Sequence, residues 1–88
     1  MKKFVNVVEV DGEGLESLGG ERITLFCMNY IYTGKLVGVN DKYVKLDEPA
    51  IVYETGGFDK AEWQDAQNLP NSLYVMIAAI ESFGLIKE

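Results

Sequence analysis

The chain is predicted to be a mainly β protein: a small, strongly bent five-stranded antiparallel barrel with a short N-terminal helix and an extra N-terminal strand. Three observations carry this expectation. Short runs rich in Val, Ile, Leu and aromatics recur along the chain, punctuated by Gly, Asn, Asp and Pro. Gly34 and Gly38 stand within one such run, where a strand must curve sharply or another backbone must come close. Five bent strands in so short a chain favour a barrel, because a flat sheet leaves two bare edges.

The elements follow in order. Phe4 to Val10 is Val-rich and alternates loosely, which predicts the extra strand, ended by Asp11-Gly12-Glu13-Gly14. Leu15 and Leu18 are spaced for one turn of helix, closed by Gly19-Gly20. Ile23, Leu25 and Cys27 alternate with Thr24 and Phe26, as a strand would. Asn29-Tyr30 is a hairpin turn, since Asn tolerates positive φ. Ile31 to Val39 is the curved strand, and Asn40-Asp41-Lys42 is the next turn. Tyr43 to Glu54 is a long strand in which Pro49 removes a ladder donor, marking a bulge or an edge.

Residues 55–72 form the least strand-like stretch, a variable loop opened by Gly56-Gly57 and closed by Pro70-Asn71. Within it, Asp59 to Ala66 is predicted as a short helix capped by Asp59. Leu73 to Ile80 is almost wholly apolar, so it is read as a strand buried on both faces or lying in an interface. Phe83 to Ile86 is the last strand.

An 88-residue chain makes one domain, residues 1–88, of which 1–14 form an N-terminal extension. A domain this size buries only about 60% of the surface its unfolded chain exposes, so its core is thin. The usual supplements are disulfides, metals or oligomerisation. Cys27 is the single cysteine, which excludes an intrachain disulfide. There is no histidine and no cysteine pair, so no metal or other cofactor is expected. Oligomerisation is the remaining route, and 48% hydrophobic residues can supply an interface.

Fourteen carboxylates against eight basic residues give a net charge of -6, which argues against a general nucleic-acid coat. The charge is uneven. Residues 9–21 carry Glu9, Asp11, Glu13, Glu16 and Glu21 and no basic residue. Residues 34–46 run the other way, with Lys35, Lys42 and Lys45 against Asp41 alone. Glu9 and Asp11 interrupt the apolar run after Lys2-Lys3, which speaks against a signal peptide. No run reaches the 18 or so apolar residues of a membrane span. The expectation is a soluble, cytoplasmic protein without a membrane partner.

The usual catalytic triads and dyads need a histidine, which is missing, and no phosphate-binding glycine loop is present. An enzyme is therefore not expected. Asp59, Glu62 and Asp65 would share one face of the predicted loop helix, where three carboxylates form a solvated face more often than a cation site. Cys27 continues the Ile23 and Leu25 alternation and is read as a small core residue.

The order of elements, with those glycines, resembles the Sm-like family (Sm, LSm and the bacterial Hfq branch) over roughly Leu15 to Ile86. Leu15 to Leu18 stands at the family's short helix, and Ile23 to Cys27 resembles its first strand. Gly34-Lys35-Leu36-Val37-Gly38 matches the G-x-L-x-G of the first Sm motif. Asn40 to Val44 stands at the D-x-x-M-N turn, one residue short of the family spacing. Ile77-Ala78-Ala79-Ile80 sits where the family has I-R-G-x-x-V, with Ala78 and Ala79 replacing Arg-Gly.

The resemblance implies a homo-oligomeric ring of five to eight subunits, closed by the fourth strand of one subunit against the fifth of the next. Leu73, Tyr74, Val75, Met76 and Ile77, with Phe83 and Leu85, would form that interface. It also implies weak binding of single-stranded RNA at the pore-side turn. Tyr43 would stack a base, Asn40 or Asp41 would read its edge, and Lys42 would contact phosphate. Ala78 stands where the family's Arg would complete the site. Each residue has a plainer reading: cross-strand packing for Tyr43, turn chemistry for Asn40-Asp41, solvated strand faces for Lys35 and Lys45. The alternative function is a ring-shaped scaffold for a protein partner that has lost RNA binding. Trp63 would either anchor that partner or pack the loop onto the barrel.

Overall fold

The computed structural model describes residues 4–8 and 12–87. A single 3-10 turn, Glu16–Leu18, precedes strands β1 (Arg22–Cys27), β2 (Ile31–Val39) and β3 (Tyr43–Glu54). Strands β4 (Asp65–Asn68) and β5 (Leu73–Met76) follow, then a second 3-10 turn (Ile77–Ala79) and β6 (Ile80–Gly84). All pairings are antiparallel, in the order β4-β3-β2-β1-β6, with β5 also paired to β3.

The core lies where the alternation places it. Ile23 and Leu25 of β1, Leu36 of β2, Val44 and Leu46 of β3 and Val75 of β5 are buried together with Leu15. Cys27 packs against this cluster, and burial pushes its thiol pKa up, so it behaves as a small apolar side chain.

The bend in β2 has a local cause. The β2–β3 register shifts between Thr33 and Lys35 and again between Leu36 and Gly38. At the first shift Glu48 adopts a φ of 48°, immediately before Pro49. Gly34 lies against this bulge: a Cβ there would meet the Leu46 Cβ at 2.9 Å and the Asp47 carbonyl oxygen at 3.2 Å. The proline thus marks a bulge inside a continuous strand, and the glycine admits the neighbouring backbone.

Several expectations are corrected. Residues 4–8 form no strand and are exposed; residues 9 and 10 lie outside the described residues. The N-terminal helix is one 3-10 turn. The predicted helix at Asp59–Ala66 is absent: residues 58–62 make turns and bends, and Asp65 opens β4. The second half of β3 offers an unpaired edge, and Ala66, Gln67 and Asn68 satisfy it opposite Val52, Ile51 and Ala50. Ladder hydrogen bonds outweigh the local helix preference here.

The apolar run from Leu73 divides at Met76, because the Ile77 and Ala79 backbones bond outside the ladder. The last strand accordingly spans Ile80–Gly84, ahead of the expected Phe83 to Ile86. Finally, the sheet is not closed into a barrel. Chain continuity through the second 3-10 turn, without a ladder between β5 and β6, links the β3 side of the sheet to the β1 side.

Candidate nucleic-acid interface

The turn after β2 is built by its own asparagine. The Asn40 Oδ1 accepts the backbone N–H of Lys42 at 2.8 Å and of Tyr43 at 2.9 Å. The Asn40 N–H donates to the Tyr43 carbonyl at 3.0 Å. The side-chain oxygen of Asn40 is therefore committed to turn geometry, which leaves its amide nitrogen as the free polar group. Asp41 and Lys42 are exposed at the tip.

A second turn is pinned against the first. The Ile77 N–H donates to the Lys42 carbonyl at 2.8 Å, and the Met28 N–H donates to the Ala79 carbonyl at 3.2 Å. The 3-10 turn is thereby held between the β2–β3 turn and the end of β1. Ala78 is exposed on it, so Asn40, Asp41, Lys42, Tyr43 and Ala78 do come together in space.

The β3–β5 ladder adds side chains that the sequence reading assigned elsewhere. Tyr43 pairs with Met76, Val44 with Val75, Lys45 with Tyr74 and Leu46 with Leu73. Strand alternation sends Val44, Leu46 and Val75 into the core and Tyr43, Lys45, Tyr74 and Met76 to the outer face. The Tyr43 and Tyr74 rings meet edge to face, with centroids 5.4 Å apart and planes at 87°. The Lys45 Nζ lies 5.8 Å from the Tyr74 ring centroid. Tyr43 remains 38% exposed, and Tyr74 and Met76 each 55%. The result is an exposed aromatic pair with the Lys45 ammonium over one ring and Lys42 in the adjoining turn. Tyr74 and Lys45 were legible as partners of Tyr43 only through the register; their signal is the two-residue spacing of Tyr43 with Lys45 and of Tyr74 with Met76.

The local excess of lysine is divided by the bend. Lys35 pairs with Arg22 across β1 and β2 and lines a groove with Asp47 and Glu48, apart from the tyrosines.

The residues expected at a subunit interface fall into two groups. Val75 is a core residue, and Leu73 and Ile77 are half-buried against the core. Tyr74, Met76, Phe83 and Leu85 are exposed. Among the described residues, β5 pairs only with β3 and β6 only with β1, so each keeps one free edge.

In the 55–72 segment, Trp63 is half-buried beneath the Lys87 ammonium, 5.0 Å from its ring centroid, and so packs the loop. Asp59, Glu62 and Asp65 share no helical face, because no helix forms there. No described group of histidine, cysteine or acidic residues has the arrangement of a metal site. No helix among the described residues is long and apolar enough to cross a membrane. Comparison with protein-family models, with curated proteins and with solved structures gives no match to the chain.

Proposed function

We propose that the chain is an Sm-like module that binds single-stranded RNA weakly through the outer face of β3 and β5, within a homo-oligomeric ring. The observation that carries this reading is the exposed Tyr43–Tyr74 pair with the Lys45 ammonium beside it and Lys42 next to Tyr43 in the turn. Exposed aromatic rings stack bases of any sequence, and adjacent ammonium groups attract the phosphates between them. Arg is absent at Ala78, so no guanidinium plane closes over the base, and the affinity is correspondingly low.

The test is fluorescence anisotropy of labelled oligo-U and oligo-A at low and moderate salt. Binding is expected at low salt, weakening as salt rises. Tyr43→Ala is expected to weaken it about 5- to 150-fold, the equivalent of the ~1–3 kcal/mol of one base stack. Absence of binding at low salt, or an unchanged Tyr43→Ala variant, overturns the reading.

The net charge of -6 and the Ala78-Ala79 pair support a second reading, a ring that serves as a protein scaffold without RNA. Both readings share head-to-tail assembly, in which β5 of one copy adds to β6 of the next and each ladder gains a neighbour. An RNA-free ring that captures a protein partner would select the scaffold.

A further inference from the structure

Lys87 is the most unusual basic residue of the described chain. It is only 5% exposed, yet it follows the last strand, and its neighbours Leu85 and Ile86 are exposed. Its side chain alone turns inward. The Nζ donates to the Thr55 carbonyl at 2.6 Å and the Glu62 carbonyl at 2.8 Å. Its partners are thus two backbone dipoles from the two ends of one loop, and the ammonium closes that loop. The same nitrogen lies 5.0 Å from the Trp63 ring centroid and 5.5 Å from that of Phe58.

Two carbonyls and two aromatic faces around one ammonium form a cation cage. Carbonyl oxygens replace water, and the ring quadrupoles attract the charge. A groove of about 370 Å³ runs between residues 58–61 and 85–87 and leads to the cage, with Glu21 and Asp59 balanced on its walls by Arg22 and Lys60. The Trp63 Nε1 is buried without an acceptor. An orphan buried donor of this kind is uncommon.

We propose that the 55–64 loop is a binding site for a lysine side chain presented by another polypeptide, and that Lys87 occupies it in cis. The segment after β6 then acts as a strap. Its withdrawal exposes the Phe58 and Trp63 faces and the two carbonyls to an incoming lysine. A peptide-borne lysine reproduces the whole of Lys87, side chain and flanking backbone, which a bare amine does not.

The test uses Lys87→Ala, which empties the cage, with Trp63, the single tryptophan, as the fluorescent reporter. Nα-acetyl-lysine methylamide, n-butylammonium and neutral n-butanol are titrated at constant ionic strength, following fluorescence and the melting midpoint. The variant is expected to respond saturably to both amines, more tightly to the lysine derivative, and not to butanol. The parent protein is expected to need at least about tenfold more amine, because the strap leaves only a minor fraction of cages open. If the variant is too unstable at rest, the amines must raise its melting midpoint, since a ligand that binds only the folded state stabilises it. No response beyond that to butanol by either readout, or an equal response in the parent, overturns the cage. Tighter binding of butylammonium overturns the assignment to a polypeptide lysine.

Discussion

Thr24 and Thr33 face each other across β1 and β2, both fully buried, yet their hydroxyls differ. The Thr33 Oγ1 donates to the Ile23 carbonyl at 2.9 Å, whereas the Thr24 Oγ1 has no partner. Valine has nearly the same shape as threonine without the hydroxyl. Thr24→Val is therefore expected to raise the unfolding free energy by about 1 kcal/mol and Thr33→Val to lower it by about 1 kcal/mol. Urea denaturation of both variants checks the opposite signs. The two motif glycines separate in the same way. Gly34→Ala would drive a Cβ against the β3 backbone and is expected to cost about 1–3 kcal/mol. A Cβ on Gly38 meets only the Lys45 Cβ, at 3.7 Å, so Gly38→Ala is expected to change stability by less than about 0.5 kcal/mol. The sequence alone could not distinguish these pairs. Both threonines sit in β-like runs, both glycines fit one motif, and only the bulge at Glu48–Pro49 makes Gly34 the crowded one.

Among the elements, β5 and β6 carry the assembly question. Each has one paired and one free edge, and Tyr74, Met76 and Phe83 stand exposed along them. Met76→Glu places a charge on the β5 flank without touching the core residue Val75. In the proposed ring it is expected to reduce the assembly to monomer while the circular dichroism spectrum stays that of the parent. Light scattering coupled to gel filtration reads the mass, and an undiminished oligomer would remove β5 from the interface. The elements legible in the sequence were those with a strong period: β1, β2 and β3 lie within a residue of where alternation put them. The turn at Asn40 was legible too, because its chemistry is local. Strand β4 was not, since Asp65–Asn68 has no apolar face, and all four residues are exposed. It is a strand because β3 is long enough to offer it a ladder. The break at Ile77–Ala79 was hidden for the converse reason: uniform apolarity carries no period, and the Lys42 carbonyl that captures the Ile77 N–H lies far away in sequence.

At the scale of the whole molecule, charge decides how the proposed RNA binding would behave. The chain carries a net charge of -6, and among the described residues Lys45 lies beside the tyrosine pair and Lys42 in the adjoining turn. Two phosphate contacts per subunit on a single strand predict a log–log salt slope of about -1.4 for each engaged subunit. Measured slopes should fall on multiples of that value, and a slope near zero would mean that the lysines do not contact phosphate. Composition and pattern were enough to determine a mainly β fold, its alternating core, the lone cysteine packed against that core, and the turn chemistry around Asn40. These depend on near neighbours and on which face of a strand is apolar. The tertiary structure alone decided that the sheet stays open, that Tyr74 and Lys45 join Tyr43, that residues 65–68 pair with β3, and that Lys87 closes a loop begun at Thr55. Each of these depends on register or on contacts between residues distant in sequence, which local propensity does not encode.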